Sequence, residues 1–286
     1  SRARIEAAYD AYERAFATVP HRVCYALKAN SSIGLLRIFA GLGAGADIVS
    51  GGELRQALRA GFRPEDIVFS GVGKTDDELA LGLEHGIGEF NVESESELRR
   101  LSVLATSQGL RAAVTLRVNP DVDPRSHPYI STGLRENKFG VPIEEARRIL
   151  RDARDLAGIE VSGVQCHIGS QLRDLAPAAE AVRAIVSLSR DLMAEGFALS
   201  TIDMGGGLGV DYDGNGAPSP EDLARLVLPQ IEGLGLKLLL EPGRSLIAPA
   251  GVLLTRVVAV KTNGAKRFLV TDAGMNDLLR PSLYSA

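Results

Sequence analysis

Lys28 closes the apolar run Val23 to Leu27, within Tyr25-Ala26-Leu27-Lys28-Ala29-Asn30. Such a run predicts a buried strand, and burial disfavours the charged form of a lysine that projects from its end. An uncharged amine attacks carbonyls, so Lys28 is a Schiff-base candidate. The competing reading is a lysine that ends a strand and reaches for water. Other reactive residue types fall at similar places: Asp47, Arg117, His167, Gly205-Gly206-Gly207, and the pair Glu241 and Arg244. Three consecutive glycines let main-chain N–H groups approach an anion such as a phosphate, and the alternative is a tight turn. The run has neither the lysine of a P-loop nor the spacing of a dinucleotide fingerprint. Glu241 pairs locally with Arg244 or, if it reaches a heteroaromatic ring nitrogen, keeps that nitrogen protonated, as pyridoxal phosphate requires to act as an electron sink. An imidazole at His167 is either structural or stacks on a ring.

These residues need elements to hold them. Eight short apolar runs predict strands at Arg22 to Ala29, Ala46 to Ser50, Ile67 to Gly71, Glu89 to Val92, Ala113 to Val118, Val161 to His167, Thr201 to Met204 and Lys237 to Glu241. Amphipathic stretches follow the first seven, the alternation of parallel βα units. An α/β fold results, a (β/α)₈ TIM-like barrel over residues 1–250, whose chemistry lies at the carboxyl ends of its strands. A doubly wound open sheet is the weaker alternative. A helix from Arg4 to Phe16 precedes the first strand. Residues 251–286 turn β-rich, with Val252 to Val260 and Arg267 to Thr271 flanking Asn263-Gly264, and predict a hairpin that opens a β domain. Pro120 to Asn137 is long for a βα connection and is a candidate substrate loop.

Composition narrows the function. With 286 residues, 45% of them apolar, the chain can fill a large core. A net charge of −4 without a basic run gives no footprint for nucleic acid or an anionic membrane. The sequence shows no spanning segment and no signal-like amino terminus, which predicts a cytoplasmic enzyme. Cys24 and Cys166 lie in apolar runs and read as buried thiols, and the four histidines have no metal-ligand spacing.

In their order along the chain, Y-A-L-K-A-N (25–30), D-I-V-S-G-G-E-L (47–54), H-P-Y-I-S-T-G (127–133), K-F-G (138–140), C-H-I-G-S-Q (166–171), G-G-G-L-G (205–209), E-P-G-R (241–244) and R-P-S-L-Y (280–284) resemble the fold-type III pyridoxal phosphate-dependent decarboxylases. Within that group they are similar to the diaminopimelate decarboxylases. The resemblance implies that pyridoxal 5'-phosphate is carried by Lys28, stacked on by His167 and paired at its ring nitrogen with Glu241. It implies a phosphate site at Ser170, Gly205, Gly206 and Gly207, a cofactor contact at Gly243, and ordering roles for Asp47, Glu53 and Arg117. Arg244, Arg280 and Tyr284 match positions that bind substrate carboxylates, with Arg244 also at the cofactor. The implied reaction takes meso-2,6-diaminopimelate to L-lysine and carbon dioxide. Decarboxylation of another basic amino acid, and cofactor binding without catalysis, are the alternatives. The family's β domain is longer than residues 251–286, and it supplies a cysteine–glutamate motif across a homodimer interface. The expectation is therefore a truncated chain that holds the cofactor half of the site, binds cofactor, turns over little and self-associates.

Overall fold

The computed structural model describes residues 1–123, 138–279 and 282–283. Most of the candidate loop, the H-P-Y-I-S-T-G motif, Arg280 and Tyr284 lie outside the described residues. The chain divides after Ala250 into two units.

In the first unit, helix α1 (Arg2–Ala15) leads into parallel strands β1 (His21–Ala26), β2 (Gly45–Ile48), β3 (Ile67–Phe69), β4 (Glu89–Val92) and β5 (Ala112–Asn119). After a two-residue strand, β6 (Val141–Pro142), come β7 (Ile159–Gln165), β8 (Thr201–Asp203) and β9 (Lys237–Leu240). Each strand pairs with the next around the ring β1-β2-β3-β4-β5-β7-β8-β9, and β1 pairs with β9, so the eight-stranded barrel closes. β6 pairs alongside β5, outside the ring.

Helices α2 (Ile33–Gly41), α3 (Gly51–Ala60), α4 (Asp76–His85), α5 (Glu95–Ser107), α6 (Ile143–Arg154), α7 (Ala176–Ala194) and α8 (Pro220–Ile231) fill the crossovers. Local chemistry fixes several of their starts. Ser50 and Ser94 accept the N–H of the third helical residue, while Thr75 with Glu78 and Ser219 with Asp222 form capping boxes. Each such cap contributes about 1 kcal/mol and sets where a strand-end loop must stop. Tyr25 stacks on Phe39 with ring centroids 4.1 Å apart, both fully buried, which locks α2 against β1. Burying side chains of this size stabilises by roughly 1.5–3 kcal/mol each.

The strands end earlier than their apolar runs. β1 stops at Ala26, and Lys28 sits on a 3₁₀ turn, Leu27–Ala29, rather than on the strand. His167, Gly205 and Glu241 likewise follow the last paired residues of their strands. Apolar residues beyond the ladder, Leu27, Cys166 and Met204, stay buried, so hydrophobicity alone overshoots the hydrogen-bonded strand.

In the second unit, β10 (Val257–Asn263) and β11 (Lys266–Thr271) pair antiparallel, with Asn263 opposite Lys266 and Gly264 at φ +59 in the turn. Almost every residue of both strands is exposed, since a two-stranded ribbon has no second layer against which to bury a face.

Candidate active site at the carboxyl ends of the barrel strands

Lys28 Nζ lies 3.0 Å from Asp47 Oδ2, which the buried end of β2 holds in place. The lysine side chain is 52% exposed, so it stands in the open mouth rather than in the core. Crowding by protein lowers its pKa, but Asp47 and Glu241 together outweigh this and the net shift is upward. The lowered amine pKa expected from sequence is thus corrected: the carboxylates hold the free amine as an ammonium. Next to this pair, Glu53 turns back from the first turn of α3 to accept the Val49 N–H at 2.8 Å, fixing the backbone just after Asp47.

Glu241 is buried immediately beyond β9. Its Oε1 accepts from Asn91 Nδ2 at 3.0 Å and faces Ser70 Oγ at 3.4 Å, while its Oε2 accepts from Gln165 Nε2 at 3.1 Å. Burial, with Asp47 nearby, pushes its pKa up to about 7 against the pull of Lys28. The Asn91 backbone is itself fixed, because its main-chain carbonyl accepts from the fully buried Lys74 ammonium at 2.8 Å.

His167 Nδ1 accepts the Gly206 N–H at 3.1 Å. Burial and the cations Arg117 and Lys28 hold the imidazole well below its usual pKa, so it is neutral at pH 7. Gly205 donates its N–H to Asp203 Oδ1 at 2.7 Å. Two of the three glycine N–H groups expected to face phosphate are therefore engaged inside the protein, and Gly207 is the one of the three without a hydrogen-bonded N–H among the described residues. The glycines are required for another reason as well. A Cβ on Gly206 would stand 2.2 Å from the Glu241 carbonyl oxygen, and Gly207, at φ +114, would place one 2.4 Å from that of Gly169. Strand ends converge too closely there for any side chain.

Ser170 Oγ accepts from Arg244 Nε at 3.3 Å and Nη2 at 3.1 Å, and Arg244 Nη1 contacts Tyr212 Oη at 3.2 Å. Gly243, 3.1 Å in Cβ terms from both Ala26 and Ala29, seats this segment against the lysine-bearing turn. Arg117 donates to Glu93 Oε1 at 2.8 Å and lies over the Phe139 ring at 4.7 Å. Glu93 also takes the N–H of Gly71 and of Gly140, so one carboxylate ties K-F-G to the ends of β3 and β4.

The structure thus gathers Lys28, Asp47, Arg117, His167, Ser170, Gly205 to Gly207, Glu241, Gly243 and Arg244 at one end of the barrel. The sequence reading passed over Ser70, Asn91, Glu93, Gln165 and Asp203. The available signal was a polar residue at or just beyond the end of an otherwise apolar strand.

An exposed lysine amine, a buried carboxylate and a corner formed by Ser170, Arg244 and the Gly207 N–H suit an aldehyde cofactor with a basic ring nitrogen and a phosphate. Residues 2–248 match the family described as pyridoxal-dependent decarboxylase, pyridoxal binding domain. The chain is 52% identical over its whole length to diaminopimelate decarboxylase of Pseudomonas aeruginosa, covering 69% of that protein. It is 48% identical to that of Aquifex aeolicus, across 99% of this chain and 67% of the relative. Among solved structures, diaminopimelate decarboxylase from Helicobacter pylori complexed with L-lysine superposes with a TM-score of 0.98 at 45% identity, over 100% of this chain and 72% of that one. The residues fit pyridoxal phosphate on their own evidence. Asp47 Oδ1, Asn91 Oδ1 and Gln165 Oε1 are buried in the mouth without hydrogen-bond partners among the described residues, and the Gly207 N–H faces none. By sequence, fold and site alike, the chain belongs to the diaminopimelate decarboxylase family of pyridoxal phosphate-dependent enzymes.

Proposed function

We propose that the chain removes the carboxylate at one amino-acid centre of meso-2,6-diaminopimelate, giving L-lysine and carbon dioxide. One observation supports the reaction class above the rest: an exposed amine at the barrel mouth, Lys28, is set beside the buried carboxylates Asp47 and Glu241. The substrate follows from relatives of that name at 48–52% identity along nearly the whole chain.

Pyridoxal phosphate, when bound, supplies the electron sink for the carbanion that loss of carbon dioxide leaves. The protein's part is positioning and charge. Lys28 would hold the cofactor covalently, with Asp47 fixing the amine. Glu241 would keep a proton on the ring nitrogen, favouring the electron-poor ring before charge develops. His167, neutral and fixed by Gly206, would cover one ring face. Ser170, Gly207 and Arg244 would hold the phosphate, and Arg117, braced by Glu93, would order the ring's edge. Arg280 and Tyr284, outside the described residues, are proposed with Arg244 for the substrate carboxylates, because guanidinium forks bind carboxylate bidentately. We place the enzyme in the cytoplasm and, in the longer form of its relatives, as a homodimer with shared sites. Among the described residues no helix is long and apolar enough to cross a membrane.

The test is to supply cofactor and compare meso-diaminopimelate with L-ornithine, L-arginine and L-lysine as substrates. Lysine and carbon dioxide in equal amounts from the first alone are expected. Carbon dioxide release from one of the others, without lysine formation from diaminopimelate, would replace the substrate assignment.

A further inference from the structure

Asp203 ends β8, fully buried, and the roles above give it nothing to do. Its contacts nevertheless join two parts of the site. Oδ1 accepts the Gly205 N–H at 2.7 Å, and Oδ2 faces Asn91 Nδ2 at 3.4 Å. That same Nδ2 lies 3.0 Å from Glu241 Oε1 and 3.0 Å from Ser70 Oγ. The Asp203 and Glu241 carboxyl groups thus meet at one amide nitrogen.

Counting hydrogens makes the arrangement informative. The two hydrogens of the Asn91 amide are shared among three acceptors. Among the described residues no lysine or arginine is ion-paired with either Asp203 or Glu241. Two carboxylates so placed, both buried, repel one another, and a proton held between them relieves the conflict.

We infer that Asp203 is a neutral carboxylic acid at working pH and acts as a positioning residue, donating its proton to Glu241 while its other oxygen fixes the Gly205 N–H. One side chain would thereby set both the carboxylate that meets the ring nitrogen and the first glycine of the G-G-G-L-G run. The direction of titration agrees: burial and then Glu241 drive the Asp203 carboxyl well up from the ordinary carboxylate range. The charged and titratable groups around the pair are Lys28 beyond β1, Asp47 on β2, Glu89 on β4, Arg117 on β5 and His167 beyond β7, with the thiols Cys24 and Cys166. Lys28 and Arg117 pull Glu241 down, which leaves the proton to Asp203.

The inference rests on Glu241 serving the ring nitrogen only for its consequence, not for the protonation itself, so the two are separable. Asparagine reproduces a protonated aspartic acid: its oxygen can take Gly205 N–H and its NH₂ can donate to Glu241. The experiment compares Asp203→Asn and Asp203→Ala with the parent chain. Infrared difference spectra of the cofactor-free proteins at pH 7 should show that Asp203→Asn removes a protonated-carboxyl stretch. The dissociation constant for pyridoxal phosphate should stay within about threefold in Asp203→Asn but weaken on the order of tenfold or more in Asp203→Ala, which strands buried donors. Loss of a carboxylate stretch instead, equal damage from both substitutions, or no damage from Asp203→Ala would overturn the inference. If Asp203→Ala does not fold, the infrared result and the affinity of Asp203→Asn still decide it. A separate failure of Glu241→Gln to alter turnover would remove the ring-nitrogen reading while leaving the state of Asp203 as measured.

Discussion

The barrel buries a carboxyl group at each of its two ends, and the two are treated differently. At the amino-terminal end, Glu89 Oε1 accepts from Thr201 Oγ1 at 2.7 Å and Oε2 from Thr115 Oγ1 at 2.8 Å. Burial raises its pKa, and the hydroxyls only partly offset the rise. Both of its oxygens are satisfied by the chain's own side chains. At the carboxyl-terminal end, Glu241 is as buried and also raised, yet its neighbours Asn91 and Gln165 each leave a buried oxygen without a partner among the described residues, as does Asp47. An unsatisfied buried polar group costs about 1–3 kcal/mol, so the surroundings of Glu241 carry a cost that the hydroxyls around Glu89 avoid. The two glutamates thus differ in their neighbours rather than in their own contacts: both have partners on each oxygen, but only Glu241 lies among side chains that keep acceptors open among the described residues.

The largest effect that could break this contrast is expected at the open end. Lys28→Ala should abolish lysine formation and the borohydride-reducible attachment of cofactor, read as loss of the labelled peptide by mass spectrometry. A labelled peptide persisting elsewhere would relocate the covalent site.

Glu241→Gln should lower kcat on the order of 10²–10³-fold, the usual consequence of removing one preorganised electrostatic contact, while cofactor still binds. Activity near that of the parent would show that Glu241 is as structural as Glu89.

The closed end should respond in stability alone. Glu89→Ala strands the two threonine hydroxyls and should cost about 1–3 kcal/mol in urea unfolding, with cofactor affinity unchanged. Glu89→Gln should cost less and also flatten the pH dependence. The sign follows from the raised pKa: the folded state keeps a proton that the unfolded state releases above the ordinary glutamate value. Stability from this group is full below that value and lost as pH rises through the folded pKa. A parent and a Glu89→Gln variant with parallel stability curves between pH 5 and 8 would contradict this.

The smallest expected effect concerns His167. Its folded pKa is depressed, so the unfolded chain takes up a proton first as pH falls below the ordinary histidine range. The contribution of His167 is present above that range and lost progressively on acidification. His167→Asn should therefore lessen the acid-side slope of stability measured from pH 7 to 5, and an unchanged slope would assign that slope to other groups.

How far the site could be read in advance depended on the residue. Lys28, His167, the glycines and Glu241 were legible because each breaks the apolar texture just after a strand, where a barrel concentrates chemistry. The closed α/β barrel was legible from the alternation of apolar runs with amphipathic stretches. Asn91, Gln165 and Asp203 were not, since a single polar residue at a strand's last inward position looks like the polar edge of any strand. Their importance comes from convergence: positions 91, 165, 203 and 241 are far apart in sequence and meet only when the barrel closes. The protonation of Lys28 was misread for a related cause. Local burial argued for a neutral amine, whereas the field of Asp47 and Glu241, from two other strands, decides for the cation.

One contact at the mouth reaches further than its length suggests. Because the Gly206 main chain donates to His167 Nδ1, the imidazole hydrogen must reside on Nε2, so the tautomer is dictated by the backbone. Side-chain substitutions nearby cannot switch it while that amide is in place. A Cβ at position 206 would meet the Glu241 carbonyl oxygen, so the lack of a side chain that brings the strand ends together there is also what holds the histidine in one tautomer.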